Sequence, residues 1–328
     1  MTQAVSSIAM PNATTYRATL ESVVRFDNSA RGRLRLTDRD RAQLLQRLTT
    51  NDIVGLTPGE GARSVLINSH ARILDLLTVY ALPEHLLVTC NPGQGGALMR
   101  FLQSRVFFQD KVGIEDLSST TIQIDLYGPQ VAALLAQATS VDPQEWPLHH
   151  IQAAAIGTAQ VWLARTLPIG GAGFSVFAQR ADAEEVQQAI AAAEPLDENT
   201  YDVLRIEQGY PAPRHELSTE YIPLETGLTD AVSFTKGCYV GQEIIARMES
   251  RNRLAKRLMG LRLDQIVAPG SGLHHEDKEV GTVTSAAHSP RYGSIGLAYI
   301  RAAAAVPGTR LRTADGNSAE VIELPLAQ

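Results

Sequence analysis

One of the two cysteines of this 328-residue chain, Cys238, lies in a segment whose composition favours nucleophilic chemistry. The segment reads FTKGCYVGQEIIARMESR, with Lys236 two residues before the thiol and a glycine on either side of it. The run QEIIARMESR is typical of a helix, so Cys238 is predicted to lie just ahead of a helix N-terminus. Free amides at a helix N-terminus and a nearby cation both favour a thiolate. We therefore predict that Cys238 is reactive and that Lys236 assists it; the simpler alternative is a small buried apolar residue.

Charged side chains lie on both sides of Cys238 along the chain. Upstream, Glu207 is followed by the turn-forming run GYPAP, so the chain leaves a regular element directly after an acid. Downstream, Glu243, Arg247 and Arg251 are spaced four residues apart and share one face of the predicted helix. An ordinary solvated helix face has the same pattern, so the spacing alone does not assign a function to these charges.

No metal site is predicted. Four of the eight histidines occur as two adjacent pairs, at positions 149–150 and 274–275, and neither pair has a cysteine at ligand spacing. Adjacent side chains point in different directions on a helix or a strand. The glycine-rich runs GQGG and PIGGAG lack the strand–loop–helix context of a phosphate-binding loop and are interpreted as turns.

Composition sets the general class of the protein. With 44% hydrophobic and 20% charged residues the chain is predicted to be globular, and its length favours more than one domain. A net charge of −6 argues against coating nucleic acid or anionic lipid as a main task. No apolar stretch is long enough to span a bilayer and no secretory signal is recognised, so no membrane association is expected. The two cysteines match no disulfide or zinc framework, which favours a reducing, cytoplasmic location.

The elements that position these residues fall into two blocks. Residues up to about 15 are predicted to be loosely ordered, and strands and helices then alternate irregularly, which favours an α+β fold. Strands are predicted in ARSVLINSHARILDLLTVYAL (two strands with a turn at 68–70), HLLVTCNPG, TIQIDLYG, AQVWLARTL and GFSVFAQR, and helices in RDRAQLLQRLTTND, QGGALMRFLQSRVF, PQVAALLAQAT and ADAEEVQQAIAAAE. Pro129 suits a first helical turn. From about Lys256 short strands alternate with turns, which indicates a small β-barrel or sandwich.

The run KGCYVGQEIIAR strongly resembles the hallmark of the YgfZ-type folate-binding proteins, bacterial relatives of the mitochondrial iron–sulfur assembly factors. The upstream part of the family pattern also appears in order. It is carried by Arg205, Glu207, Gly209, Glu216, Leu217, Pro223 and Glu225, followed by Lys236 to Glu243. The C-terminal stretch GTVTSAAHSPRYGSIGLAYIR is similar to the end of that family. The resemblance covers roughly residues 16–301.

These proteins are similar in fold to the T-protein of the glycine cleavage system, a tetrahydrofolate-dependent aminomethyltransferase. The resemblance therefore implies an α+β, three-domain aminomethyltransferase-like arrangement around a central cavity that holds folate. Residues 15–255 would form two interleaved α+β subdomains, one of them ferredoxin-like. Residues 256–328 would form a C-terminal β-barrel domain.

The function implied by the resemblance is a folate-binding protein that supports iron–sulfur cluster assembly or repair, and indirectly tRNA modification, through Cys238 in the folate cavity. Its implied partners are tetrahydrofolate and iron–sulfur enzymes or their assembly machinery. Glu207 would hold the pterin, because a carboxylate can accept side by side from a ring N–H and an amino group. The other implied cofactor-binding residues are Tyr239, Gln242, Arg247 and Arg251, of which the arginines would meet the glutamate tail of folate.

Two alternatives remain. A tetrahydrofolate-dependent aminomethyltransferase or demethylase needs a carboxylate at the reacting position, and Asp75 in ARILDLLTVY is the candidate. The transferases carry two adjacent aspartates there, whereas Leu76 fills the second place in this chain. A non-catalytic adaptor that docks on tRNA or on a cluster enzyme ranks below both, because the whole chain is acidic. Its basic face would be built from Arg247, Arg251, Arg253, Lys256 and Arg257.

Overall fold

The computed structural model describes residues 10–251 and 254–326, and the chain divides into two compact units. The first unit combines Met1–Tyr16, Leu196–Thr229 and Glu243–Gln328. The second unit combines Arg17–Pro195 and Asp230–Gln242.

The second unit contains two sheets. The helices of this part of the chain are α1 (Ala13–Glu21), whose residues up to Tyr16 belong to the first unit, α2 (Arg41–Leu48), α3 (Gly95–Gln103), α4 (Val131–Thr139) and α5 (Ala183–Ala189). The strands are β1 (Val24–Asp27), β2 (Arg31–Thr37), β3 (Gly61–Ile67), β4 (Ile73–Ala81), β5 (Leu86–Pro92), β6 (Gly113–Asp116), β7 (Thr121–Gly128), β8 (Ile151–Ile156), β9 (Ala159–Thr166), β10 (Ala172–Gln179) and β11 (Glu194–Pro195). One sheet has the order β3-β4-β5-β2-β6 and the other β11-β1-β7-β10-β9-β8. All pairings are antiparallel except β1 with β11.

Each sheet buries one face against helices. In β2 the alternation of RGRLRLT sends Leu34 and Leu36 into a core shared with leucines of α2 and α3. In the six-stranded sheet, Leu126 of β7 and Phe174 of β10 are fully buried in a core with Val131 and Leu135 of α4. Burial of these side chains is the main force that holds the helices to the sheets.

The first unit contains a closed barrel. Its helices are α6 (Glu198–Glu207) and α7 (Gln242–Arg251), of which α7 begins at the last residue of the second unit. The barrel strands are β12 (Lys256–Leu263), β13 (Gly272–His275), β14 (Lys278–Ser289), β15 (Gly293–Arg301), β16 (Arg310–Thr313) and β17 (Ser318–Ile322). They close in the order β12-β15-β14-β13-β16-β17. The side chain of Asp197 caps α6 by accepting a hydrogen bond from the amide of Thr200 at 2.9 Å.

The predicted fold class is confirmed: the chain has a mixed α+β fold, and its C-terminal strands form a closed barrel and not a sandwich. The hairpin with its turn at 68–70 and the β9–β10 pair are also present. The predicted boundary near residue 255 stays a prediction.

Three local predictions were wrong. Residues 13–15 are not loosely ordered, because α1 begins at Ala13, where the Asn12 side chain accepts the amide of Thr14 at 2.9 Å. Pro129 precedes the first turn of α4, since Gln130 occupies the cap position. The third error is one of omission: the strands β1, β2, β6, β8, β11 and β13 were not predicted, and the run GLHH of β13 has no β-branched residue to indicate a strand.

A buried ion pair holds the loop after α6. Arg205 is 3% exposed and donates to Glu216, which is fully buried, at 3.1 Å. Arg205 also donates to Asp202 at 2.6 Å and to the hydroxyl of Ser285 in β14 at 2.8 Å. The same hydroxyl donates to Glu216 at 2.7 Å. The network joins α6, the following loop and the barrel wall.

We predict that Glu216→Gln lowers the free energy of unfolding by about 3 kcal/mol, because it leaves the buried guanidinium of Arg205 without its buried counter-charge. Urea denaturation measures the change. The matched control is Glu320→Gln, which breaks the exposed Arg262–Glu320 pair in the barrel and is expected to cost less than about 0.5 kcal/mol. Equal effects of the two substitutions would contradict a stabilising role for the buried pair.

Candidate functional site

The segment that carries Cys238 is fastened to the end of α2 and to the loop that follows. The hydroxyl of Thr50 donates to the carbonyl of Ala231 at 2.6 Å, and the amide of Val240 donates to the carbonyl of Arg47 at 3.1 Å. These bonds hold the segment at both ends. Cys238 lies between them and is exposed.

Lys236 anchors the same segment. Its side chain is 8% exposed and its ammonium donates to the carbonyls of Thr49 at 2.8 Å and Asn51 at 2.6 Å. The ammonium also lies 4.9 Å from the ring centroid of Tyr239. Burial lowers the pKa of Lys236 to about 8. The two hydrogen bonds to backbone carbonyls hold the segment in place. That Lys236 assists the Cys238 thiol stays a prediction.

The two cysteines differ in environment. Cys90 in β5 is buried, and burial, with a smaller effect of Asp75, raises the pKa of its thiol to about 12. Cys238 is exposed, and α7 begins four residues later at Gln242. Gly241, between them, has φ 79°, and a Cβ there would come within 2.8 Å of the carbonyl oxygen of Asn68. Only glycine fits this close approach of the segment to the β3–β4 turn.

Asp75 is a buried carboxylate in β4. It is 5% exposed and its Oδ1 accepts the amide of Asn91 at 3.1 Å. Burial raises the pKa of Asp75 to about 6, against the opposing effects of that hydrogen bond and of Arg31. No ion pair to Asp75 occurs among the residues that the structure describes. An acid of this pKa can both take up and release a proton near neutrality.

Glu207 is the corresponding buried acid of the first unit. It is the last residue of α6, is 2% exposed, and its Oε1 accepts the hydroxyls of Tyr16 at 2.7 Å and Ser289 at 2.5 Å. Burial raises the pKa of Glu207, while these two hydrogen bonds and Arg291 oppose the rise. Within the described part of the chain, Oε2 has no hydrogen-bond partner and the carboxylate has no ion pair. Oε1 is therefore held by two hydrogen bonds, whereas Oε2 has no partner in the described part of the chain.

The remaining predicted cofactor residues lie in or near α7. Tyr239 is 8% exposed, and burial raises its pKa to about 12. Gln242 is half-buried and Arg247 is exposed. The side chain of Arg251 falls outside the described residues. Their roles in cofactor binding stay predictions.

Sequence reasoning missed Tyr16 and Ser289, the two donors to Glu207. They lie 191 and 82 residues from it along the chain, so no local spacing connects them. Ser289 does fall within GTVTSAAHSPRYGSIGLAYIR, whose resemblance to a known family end was the one available signal. Nothing in the sequence around Tyr16 distinguished it from an ordinary core aromatic residue.

The basic face predicted for an adaptor is only partly described. Arg253 lies outside the described residues, and Arg257 is exposed. The ammonium of Lys256 lies 4.2 Å from the ring centroid of Tyr221 and donates to the carbonyl of Glu220 at 3.4 Å. Lys256 is thus engaged locally.

Two features are absent from the described ranges, 10–251 and 254–326. No group of three or more histidine, cysteine, aspartate or glutamate side chains there could hold a metal ion. None of the helices there combines the length and the apolar character needed to cross a membrane.

Family comparison matches nearly the whole chain. A model described as the GCVT N-terminal domain matches residues 7–236, and one described as the glycine cleavage T-protein C-terminal barrel domain matches residues 256–326. The chain belongs to the glycine cleavage T-protein family. The YgfZ-type subdivision of that family, to which its cysteine motif points, stays a prediction.

Individual relatives agree with this assignment. A chloroplastic protein of Arabidopsis thaliana that carries a transferase name is 32% identical over 306 residues, covering 92% of this chain and 71% of the relative. An aminomethyltransferase of Saccharopolyspora erythraea is 32% identical over 315 residues, covering 92% and 85%. The crystal structure of the glycine cleavage system aminomethyltransferase T of Bartonella henselae has a TM-score of 0.85 at 23% identity, covering 96% and 89%, and this shows a shared fold.

The buried acid of this T-protein family member should leave a signature in its stability. Because the folded state raises the pKa of Asp75, the folded protein binds a proton more tightly than the unfolded chain, and stability falls as pH rises through about 4 to 6. We predict that Asp75→Asn raises the free energy of unfolding by as much as about 3 kcal/mol above pH ~7. The gain should vanish below pH ~4, where both residues are neutral.

Chemical denaturation of both proteins across this pH range measures the difference. Asp182→Asn, at a partly exposed aspartate in the same unit, is the control and should change stability little at any pH. A stability gain that does not depend on pH would show that the ionisation of Asp75 is not its cause.

Proposed function

We propose that this chain is a tetrahydrofolate-dependent one-carbon transferase of the aminomethyltransferase type. The observation that carries the proposal is the buried Glu207 carboxylate with one pinned and one open oxygen. The names of relatives that match over most of their length support the same class of reaction.

Glu207 suits the edge of a pterin. Tyr16 and Ser289 fix Oε1, so the plane of the carboxylate is set before any ligand arrives. Oε2 then accepts the ligand's N–H groups, and a buried charged acceptor makes such bonds worth about 1.5–3 kcal/mol each. Bound tetrahydrofolate would supply a nucleophilic amine that accepts the one-carbon unit. The residues present therefore fit this cofactor.

Asp75 is the candidate for proton transfer. Its pKa of about 6 allows it to hold a proton in one step and to be ionised in the next. Leu76 stands where the transferases carry a second aspartate, so Asp75 would act without an adjacent carboxylate. The test donor is an aminomethyl group on a thiol carrier, because its carbon is already at the oxidation level of methylenetetrahydrofolate and its transfer needs no oxidant.

We predict that Glu207→Gln weakens tetrahydrofolate binding by about 30-fold, the equivalent of about 2 kcal/mol, because the amide removes the charge and offers a donor where an acceptor is needed. Isothermal titration calorimetry measures the affinity. Glu320→Gln, at an exposed barrel glutamate, serves as the control. Unchanged affinity in Glu207→Gln would remove the pterin role from this acid. Formation of methylenetetrahydrofolate from tetrahydrofolate and an aminomethyl group on a thiol carrier, with release of ammonia and the free thiol, tests the reaction itself and is expected to be lost in Asp75→Asn.

A second candidate function is support of iron–sulfur cluster assembly or repair by a folate-binding protein that works through Cys238. The observation that favours it is the exposure of this thiol on a segment fastened by Lys236, in contrast to the buried Cys90. Partners of that function would be iron–sulfur enzymes or their assembly machinery, with tRNA modification affected through them.

The second candidate predicts that Cys238→Ser abolishes support of an iron–sulfur enzyme in cells while tetrahydrofolate binding and folding persist. Alkylation with iodoacetamide provides the internal control: the native protein should be modified at Cys238, and Cys90 only after unfolding, because reaction needs an accessible thiolate. Full cellular activity of Cys238→Ser would eliminate this function without touching the transferase proposal.

A further inference from the structure

The strand β2 carries an alternating pattern that the proposed transferase site does not use. In RGRLRLT the two leucines of the centre face the helices, and Arg31, Arg33 and Arg35 lie on the opposite face of the sheet. Register places Arg35 beside Leu87 of β5. This face of the five-stranded sheet therefore combines guanidinium groups with apolar side chains.

The six-stranded sheet presents aromatic residues to the same space. Trp162 of β9 pairs with Phe177 of β10, and Phe177 makes an edge contact with Tyr80 of β4 at 5.9 Å between ring centroids. Phe177 and Leu87 belong to one small apolar cluster, against which the half-buried Trp162 packs. The two sheets of the second unit are in contact through this cluster.

Beside the cluster the two faces separate and leave a cavity of about 460 Å³. Its lining includes Leu87, Trp162 and Phe177 on the apolar side and Arg33, Arg35 and His85 on the polar side. The volume is within the range of small-molecule sites, about 300–1,000 Å³. Neither Asp75 nor Glu207 lines it.

The charged residues of the cavity lining are two arginines and one aspartate, Arg33, Arg35 and Asp182. Arg33 is 1% exposed, and its guanidinium donates to the hydroxyl of Thr121 at 2.8 Å and otherwise to backbone carbonyls. No ion pair joins it to a carboxylate among the described residues, and its positive charge is only partly offset, through space, by Asp116 and Asp27. Arg35 at the rim is paired with Glu115 at 2.5 Å, and Asp182 is the carboxylate in the lining.

We propose that this cavity is a binding site for a flat aromatic anion, a ligand with one or two rings and a single carboxylate or sulfonate. The rings would lie between Trp162 and Leu87, where apolar surface is removed from water. The anionic group would lie toward Arg33 and Arg35, whose field is strengthened by the surrounding apolar side chains. An uncharged ring would gain only the first of these two contributions.

The test uses the two tryptophans of the chain as reporters. Protein labelled with 5-fluorotryptophan has two fluorine resonances, which Trp146→Phe assigns. On titration with naphthalene-2-carboxylate, the Trp162 resonance is expected to shift saturably while that of Trp146 stays in place. Naphthalene-2-methanol, the neutral analogue, is expected to bind about tenfold more weakly. Absence of a saturable Trp162 shift, or equal binding of both probes, would overturn the proposal.

A matched pair of charge reversals locates the anionic group. Arg35→Glu is expected to weaken binding of the carboxylate by about tenfold and to leave the neutral analogue nearly unchanged. Arg262→Glu reverses an arginine of comparable exposure that is also paired with a glutamate, in the barrel and away from the cavity lining. Equal affinities of the two variants for naphthalene-2-carboxylate would show that the anion does not lie at the arginine face.

Discussion

Burial of a carboxylate that has no ion pair is the constraint on which the candidate site depends. Transfer of an ionised acid out of water is unfavourable unless hydrogen bonds or a counter-charge replace the lost solvation. Glu216 has both, since Arg205 and Ser285 satisfy it. Asp75 and Glu207 have hydrogen bonds but no ion pair within the described chain, and both have raised pKa values. Folding alone does not require such acids, and for that reason they are the best candidates for chemistry.

The elements around Glu207 explain how such an acid is kept in place. The helix α6 ends at Glu207 itself, and the buried ion pair of Arg205, two residues earlier, fixes the last turn of that helix. Tyr16 from α1 and Ser289 from the end of β14 then close on one carboxylate oxygen. Three distant segments of the first unit therefore have to fold together before the acid acquires its orientation, and that orientation leaves the second oxygen open.

Sequence patterns predicted what depends on local periodicity. The β3–β4 hairpin, the β9–β10 pair and the barrel strands other than β13 follow from alternation and turn residues, although β2 was missed despite its alternating run RGRLRLT. The acids and Cys238 stood out by residue type. The start of α1 was not predicted, because the only sequence signal for it is the single capping residue Asn12. The partners of Glu207 and of Lys236 are far away in sequence, and Lys236 bonds to backbone carbonyls, which carry no residue-type signal.

In the five-stranded sheet, the alternation of side chains along β2 separates an apolar face from a charged face. Asp75 shares its face with Leu77 and Val79, which pack in the core with α2 and α3, whereas the arginines of β2 point away from that core. Side chains alternate with a period of two, so a slip of one residue in β2 would exchange its leucines and arginines. Such a slip would bury three guanidinium groups among leucines, a cost far above the stability of a domain. The apolar core thus fixes the position of the charged face as firmly as it fixes its own packing.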